Sequence, residues 1–162
     1  MILLTESQIA EFWHRSYAAV DGLWFMKVEN RYDFDTALDI DDDVWKVLPK
    51  IQARMLKSLA DIPDGIDGLY EAVTLKLNLE GFDYEAVKGQ GGFEIALSRC
   101  PWHDAMVRSN REHLSGKVGT RICNTENSVW ASEFGEDIRF EFGERICEGA
   151  GRCVLRFSKT AI

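Results

Sequence analysis

The chain has 162 residues, 46% of them hydrophobic and 28% charged, with a formal net charge of −8. This length and composition are typical of one globular domain and not of a disordered chain. The acidic excess disfavours nucleic acid and anionic membrane surfaces as partners, because both are bound mainly through clustered Lys and Arg. We therefore expect a small-molecule ligand or substrate, or a protein partner.

The expected cellular location follows from the absence of two sequence features, a membrane-spanning stretch and a signal peptide. No apolar stretch approaches the roughly 20 residues that a membrane-spanning helix needs. The first residues, Met1 to Leu4, have no basic region of the kind that begins a signal peptide. We expect a cytoplasmic protein, in a compartment that keeps thiols reduced. Its four cysteines are then metal ligands, reactive thiols or core residues and not structural disulfides.

Residues 1–81 are predicted to be the helical half of the chain. Thr5 and Gln8 have the spacing of a capping box, and apolar residues then recur with the helical period to about Arg31. The aromatic residues of this helix are more typical of core packing than of a ligand pocket. Exposed apolar residues on the first two helices would support a homodimer.

Two further helical regions are predicted before residue 82. Asp35 or Asp41 caps the first of them, and Pro49 either kinks it or begins a new helix. The aspartates around residue 41 lack the spacing of a calcium-binding loop, so we expect a solvated helix start. The last helix begins near Ile66 and stops at Gly81.

Residues 82–162 are predicted to form a β-hairpin, a helical crossover and a second hairpin. Apolar residues alternate with charged ones up to Cys100, around a glycine-rich turn at residues 89–92. Pro101 begins a helical region, a shorter helix ends at Gly135, and alternation returns from Ile138. The order of elements predicts a single α+β domain, 1–162, with helices packed on an antiparallel-rich sheet. The crossover allows the second and third strands to lie parallel.

The candidate functional centre is formed by Cys100, Cys123, Cys147 and Cys153. In the predicted elements, Cys100 ends the second strand, Cys147 ends the third and Cys153 opens the fourth, so these three meet at one sheet edge. Cys123 ends the crossover helix and reaches the same edge. Four thiolates suit zinc or an iron–sulfur cluster, although the common C-x2-C spacing is absent.

Other roles for these residues stay open. Free cysteine often behaves as a small buried hydrophobe, so all four are compatible with core packing. Cys147 and Cys153 have a hairpin placement that permits a redox pair. His103 suits a fourth ligand or a base for a Cys100 nucleophile, while the start of a helix is also a common place for an exposed histidine.

Two sets of residues carry a resemblance to a known family. In the C-terminal half they are Cys100-Pro101-Trp102, Cys123, Trp130, Phe134-Gly135 and Cys147-x5-Cys153 with Phe157. In the N-terminal half they are His14 to Tyr17, Asp21 to Phe25, Val44-Trp45 and Ala53-Arg54. With these residues the chain resembles the L-2-amino-thiazoline-4-carboxylic acid hydrolase-like family of small prokaryotic cytosolic proteins, in its uncharacterised branch. The final hairpin is also similar to vinyl-4-reductase-type domains.

The resemblance implies helices against an antiparallel sheet. It implies a cysteine-based metal site, which falls here on Cys100, Cys123, Cys147 and Cys153. For some relatives it implies a ring-opening hydrolase. Three functions follow as hypotheses: a metal-binding or small-molecule-binding domain, a hydrolase of a small cyclic amide or thiazoline-like substrate, and a structural or interaction protein with core cysteines. We favour the binding domain.

Overall fold

The structure, a computed structural model that describes residues 2–160, contains six α-helices, one short 3-10 helix and four strands. The helices are α1 Glu6–Arg31, α2 Phe34–Trp45, α3 Leu48–Ala60, α4 Ile66–Leu79, α5 Pro101–Arg108 and α6 Glu112–Phe134. The strands are β1 Tyr84–Gly89, β2 Gly92–Leu97, β3 Ile138–Phe142 and β4 Cys153–Lys159, and the 3-10 helix Ile146–Glu148 precedes β4. The predicted α+β fold is confirmed.

The four strands form one antiparallel sheet in the order β1-β2-β4-β3. Since β4 runs antiparallel to both β2 and β3, those two strands point the same way but lie on opposite sides of β4. The prediction that β2 and β3 run parallel is therefore confirmed, although the two strands do not pair with each other. The β2–β4 register places Leu97 opposite Cys153 and Phe93 opposite Phe157.

The core lies between one face of this sheet and helices α3, α4 and α6. Buried and partly buried residues alternate along β2, as expected for a strand with one covered face. The rings of Phe93 and Phe157 stack across β2 and β4 at 4.8 Å between centroids. From α6, Trp130 and Phe134 are both almost completely buried. Apolar burial of this kind is the main favourable term in folding.

Helix α1 begins where its capping box predicts. The Gln8 amide donates to Thr5 Oγ1 at 3.2 Å, and the Thr5 amide donates to Gln8 Oε1 at 2.9 Å. Helix α1 has 26 residues and none of them is buried. No helix within residues 2–160 combines the length and the apolar character needed to cross a membrane.

Helix α2 begins earlier than predicted. Its first turn is capped by Asp33, whose Oδ1 accepts from the amide of Thr36 at 2.7 Å. The prediction of Asp35 or Asp41 as the cap was wrong, because both lie inside the helix. Pro49 stands in the first turn of a separate helix, α3, so the helix is broken there and not kinked.

The helical crossover between β2 and β3 is interrupted at a different position from the predicted one. Asn110 adopts a left-handed conformation, with φ +59°, between α5 and α6. From Glu112 the chain then stays helical to Phe134 without interruption. The predicted break near residue 124 was wrong, because the polar residues there are compatible with a helix that has one solvated face.

The chain divides into two compact units, 1–43 and 44–162. The predicted halves, 1–81 and 82–162, follow instead the change from helix to strand after Gly81. The single-domain organisation stays a prediction. In the first unit, the Phe25 and Phe34 rings meet edge to face at 5.7 Å. In the second unit, Arg54 and Glu133 form an ion pair of 2.8 Å that joins α3 to α6.

The turn before α4 depends on a glycine. A Cβ atom on Gly68 would lie 1.8 Å from the carbonyl oxygen of Pro63. We expect Gly68→Ala to lower the free energy of unfolding by on the order of 3 kcal/mol, because backbone must move to relieve the overlap. Urea unfolding measures this change. Gly151→Ala is the matched control, since its Cβ meets nothing within 4 Å, and equal losses in both variants would contradict the argument.

Candidate functional site

The four cysteines come from four different elements of the second unit. Cys100 is the N-cap of α5, and Cys153 is the first residue of β4. Cys147 lies in the 3-10 helix, so the prediction that it ends the third strand was wrong. Cys123 lies in the middle of α6 and does not end a helix. Cys100 follows β2 by three residues and does not belong to the strand.

The four thiols nevertheless interact electrostatically with one another. Each is partly buried and free of disulfide bonding. Each pair among them is close enough for the charge of one sulfur to affect the ionisation of the other. The sheet explains part of this proximity, because Cys153 pairs opposite Leu97 and so lies at the edge from which the chain leaves for Cys100.

Two glycines on α6 make room for the segment that carries Cys147. A Cβ atom on Gly119 would lie 2.9 Å from Cys147 Sγ, and one on Gly116 would lie 3.1 Å from the Cys147 carbonyl oxygen. Each glycine costs roughly 1 kcal/mol relative to alanine inside a helix. Cys123 follows Gly119 by one turn and therefore lies on the same face of α6. The sequence analysis missed both glycines, although glycine within a helical pattern was a usable signal.

His103 is held in place by α6 and not by the neighbouring thiol. Its Nδ1 atom lies 2.8 Å from the hydroxyl oxygen of Ser115, a residue that is almost fully buried on α6. Its backbone amide lies 3.5 Å from Cys100 Sγ and donates to it. Beside it, Trp102 meets Trp45 edge to face at 6.5 Å. The hydrogen bond described for Cys100 Sγ comes from the backbone amide of His103 and not from its ring. The role of His103 as a base for Cys100 therefore stays a prediction.

The segment between β3 and β4 is also fixed to α6. The Ile146 amide donates to Cys153 Sγ at 3.2 Å, which links the 3-10 helix to the start of β4. Arg145 donates to Glu148 at 2.9 Å and to Thr120 Oγ1, on α6, at 3.2 Å. These contacts hold Cys147 and Cys153 on either side of one short loop.

All four thiols ionise less readily than an ordinary cysteine. Burial raises the pKa of Cys100 to about 11, the amide of His103 acts in the opposite direction, and the nearby Cys153 adds to the increase. Burial raises the pKa of Cys123 well above its usual range, and the Glu126 carboxylate raises it further. Burial also raises the pKa values of Cys147 and Cys153. At neutral pH the four groups are therefore thiols and not thiolates.

A buried ionic group lies next to this cluster. Lys76 on α4 forms ion pairs of 2.6 Å with Glu80 and 2.8 Å with Glu126 on α6. Burial by itself would lower the pKa of Lys76, but the two carboxylates hold it above its usual range. Because Glu126 also raises the pKa of Cys123, the ionic group is electrostatically connected to that thiol.

An open groove of about 780 Å³ lies at the same end of the sheet. Its lining includes Tyr84 of β1, Ser98 after β2 and Arg152 before β4. Ser98 precedes Cys100 by two residues, and Arg152 is adjacent to Cys153. The volume is within the range of small-molecule sites. None of the four cysteines belongs to the lining of this groove.

Within residues 2–160, no group of three or more His, Cys, Asp or Glu side chains is arranged to hold a metal ion. Once deprotonated, the four cysteines suit a soft metal in kind and number, since thiolates are the ligands of structural zinc and of iron–sulfur sites. The zinc and iron–sulfur assignments of Cys100, Cys123, Cys147 and Cys153 stay predictions.

Comparison with known proteins gives one match. A profile of the family described as Family of unknown function (DUF6125) matches residues 6–138. The matched segment extends from the start of α1 to the start of β3, so it includes Cys100 and Cys123 and ends before Cys147. No curated protein and no solved structure matches the chain.

Stability at alkaline pH tests the burial of Cys100. Its pKa rises from an ordinary value of 9.0 to about 11 on folding. Between those values the unfolded chain loses the thiol proton while the folded chain keeps it, so stability falls as pH rises. The loss has a slope of at most about 1.4 kcal/mol per pH unit for this thiol. Urea unfolding of the reduced, chelator-treated protein measures the slope, and Cys100→Ala should make it shallower. An unchanged slope in that variant would refute the assignment.

Removing the space at Gly119 tests the contact between α6 and Cys147. Gly119→Ala should force the Cys147 sulfur into another position, because the added methyl group would otherwise lie 2.9 Å from it. We expect a changed rate of Cys147 alkylation with little net loss of stability, since alanine also favours the helix by up to about 1 kcal/mol. Mass spectrometry after timed alkylation measures the rate. Gly22→Ala, which meets nothing within 4 Å, should leave it unchanged.

Proposed function

The chain belongs to a family of unknown function, DUF6125, and we propose from the site itself that it is a binding domain whose cysteine-based site takes up a thiophilic metal ion, with zinc preferred. The proposal is supported by four free thiols, carried by four separate elements, that interact electrostatically with one another. Thiol sulfur is a soft donor that selects zinc and iron–sulfur clusters over calcium or magnesium.

The proposal includes a local movement on binding. No three side chains within residues 2–160 are positioned as ligands, so the thiols come together as the ion enters. We infer that this movement is a rearrangement of the segment between β3 and β4, which carries Cys147 and would have to release the contacts of Arg145 with Glu148 and Thr120. Gly149 has φ +93°, which other residues rarely adopt. Bonding to the metal releases thiol protons, so the affinity increases with pH.

The geometry supports binding more than thiol catalysis. A cysteine nucleophile needs a base at its sulfur, and the described partner of the His103 ring is Ser115. The raised thiol pKa values also keep the reactive thiolate scarce at neutral pH. The hydrolase activity implied by the sequence resemblance is therefore the second hypothesis. For the binding function we propose a cytoplasmic location, where thiols stay reduced.

The test is a metal titration of the reduced, metal-free protein without oxygen. Cobalt(II) reports thiolate bonding directly, because bound thiolates give charge-transfer absorption. We expect one ion per chain, with displacement by zinc and a matching loss of thiols that react with Ellman's reagent. An iron–sulfur cluster would instead give a coloured protein on purification and no simple exchange with zinc.

Variants locate the bound ion. Cys123→Ser and Cys147→Ser should each weaken zinc binding by at least tenfold, because each removes a soft donor. His113→Ala is the matched control, because His113 is the second histidine of the α5–α6 region and is exposed. No charge-transfer absorption, with four reactive thiols whether or not zinc is present, would refute the metal site and leave the hydrolase and core-cysteine hypotheses.

A further inference from the structure

We propose that a second copy of this chain docks on α1, so that the two α1 helices lie antiparallel across a two-fold axis. The inference is independent of the cysteine site. It rests on an apolar face of α1 that the chain leaves exposed, and on the order of charges along that face.

The exposed face of α1 is long and apolar. Its members form two groups that lie seven residues apart, which is two helical turns, and therefore on the same side of the helix: Ile9, Phe12, Trp13, Val20, Leu23 and Trp24. Phe12, Trp13 and Trp24 are 58%, 66% and 69% exposed. The half-buried residues of α1, such as His14, Ala18 and Phe25, lie on the other side of the helix. Such a face on a monomer usually marks an interaction site.

The spacing suits a helix partner. Ile9, Trp13, Ser16, Val20 and Leu23 alternate steps of four and three residues, which is the spacing of a two-helix seam. In an antiparallel pair centred near residue 18, Trp13 of one copy faces Leu23 of the other. Val20 then faces Ser16, a small and half-buried residue one turn before it. In the same register Phe12 faces Trp24, so an aromatic pair lies beside each Trp13–Leu23 contact, and the surface is complementary to itself, as a two-fold interface requires.

The charges on this face select the antiparallel orientation. Glu6 lies at its beginning, and Lys27 and Arg31 lie at its end. An antiparallel pair places Glu6 of one copy between Lys27 and Arg31 of the other, at both ends of the interface. A parallel pair would bring the cations of both copies together. The helix dipoles also attract each other when antiparallel.

The area is large enough for a stable dimer. Helix α1 has 26 residues and therefore extends about 39 Å. Fully burying an aromatic side chain removes about 150–250 Å² from water, so three aromatic and three aliphatic residues supply roughly 700 Å² per copy. Two copies then bury roughly 1,400 Å², which is in the range of standard interfaces.

Sedimentation equilibrium of the full, reduced chain tests the proposal. We expect twice the chain mass of 18.4 kDa at micromolar concentration. Leu23→Glu should weaken the dimer by about 100-fold or more, since it buries a carboxylate in each copy without a partner. Leu59→Glu is the matched control, because Leu59 is 75% exposed on α3 and should leave the dimer intact. A monomeric wild-type chain, or equal loss in both variants, would overturn the proposal.

Exchanging the charges at two positions tests the antiparallel orientation of the two α1 helices and separates this effect from misfolding. Lys27→Glu places an acidic group beside Glu6 of the other copy, and we expect about tenfold weaker association. Adding Glu6→Lys should restore much of the loss, because the opposite charges face each other again. Circular dichroism checks that α1 stays helical in each variant. Failure of the double variant to recover, with helicity retained, would exclude the antiparallel pair.

Discussion

Backbone hydrogen bonds between β2 and β4 join two segments that lie about sixty residues apart, and the position of Cys153 relative to the chain that leads to Cys100 depends on this pairing. Because β4 enters between β2 and β3, its first residue, Cys153, lies at the edge where β2 ends and β3 ends. The chain leaves that edge twice, once towards Cys100 and once towards Cys147. A different strand order would separate the thiols.

Helix α6 is the second constraint on the positions of the cysteines, since it crosses the sheet near the same end of the strands. Gly116 and Gly119 leave its surface flat enough for the 3-10 helix to approach, and Ser115 fixes the ring of His103. The cluster is therefore built from a sheet edge, a helix face and a short loop. The short loop is held against α6 by the hydrogen bond from Arg145 to Thr120.

Much of the fold could be predicted from sequence because it depends on local signals. The capping box at Thr5, the stop at Gly81 and the alternation along β2 each reflect the chemistry of a few neighbouring residues. The wrong predictions concern features that depend on contacts between residues far apart in the sequence. Nothing near Cys147 in sequence indicates that a 3-10 helix replaces the end of a strand, since the reason is the approach to Gly119. The hydrogen bond of the His103 ring likewise cannot be predicted without knowing that Ser115 lies beside it.

The strand order also determines when the sheet is completed. The fourth strand in sequence occupies an interior position, so β2 and β3 each keep an unpaired edge until residues 153–159 arrive. Pairing over such a long separation is slow, because the loop must close before any contact rewards it. Open strand edges are also places where another chain can add. During synthesis Cys153 therefore reaches its place beside β2 last, and the interval before β4 pairs is when the nascent chain is most exposed to misassociation.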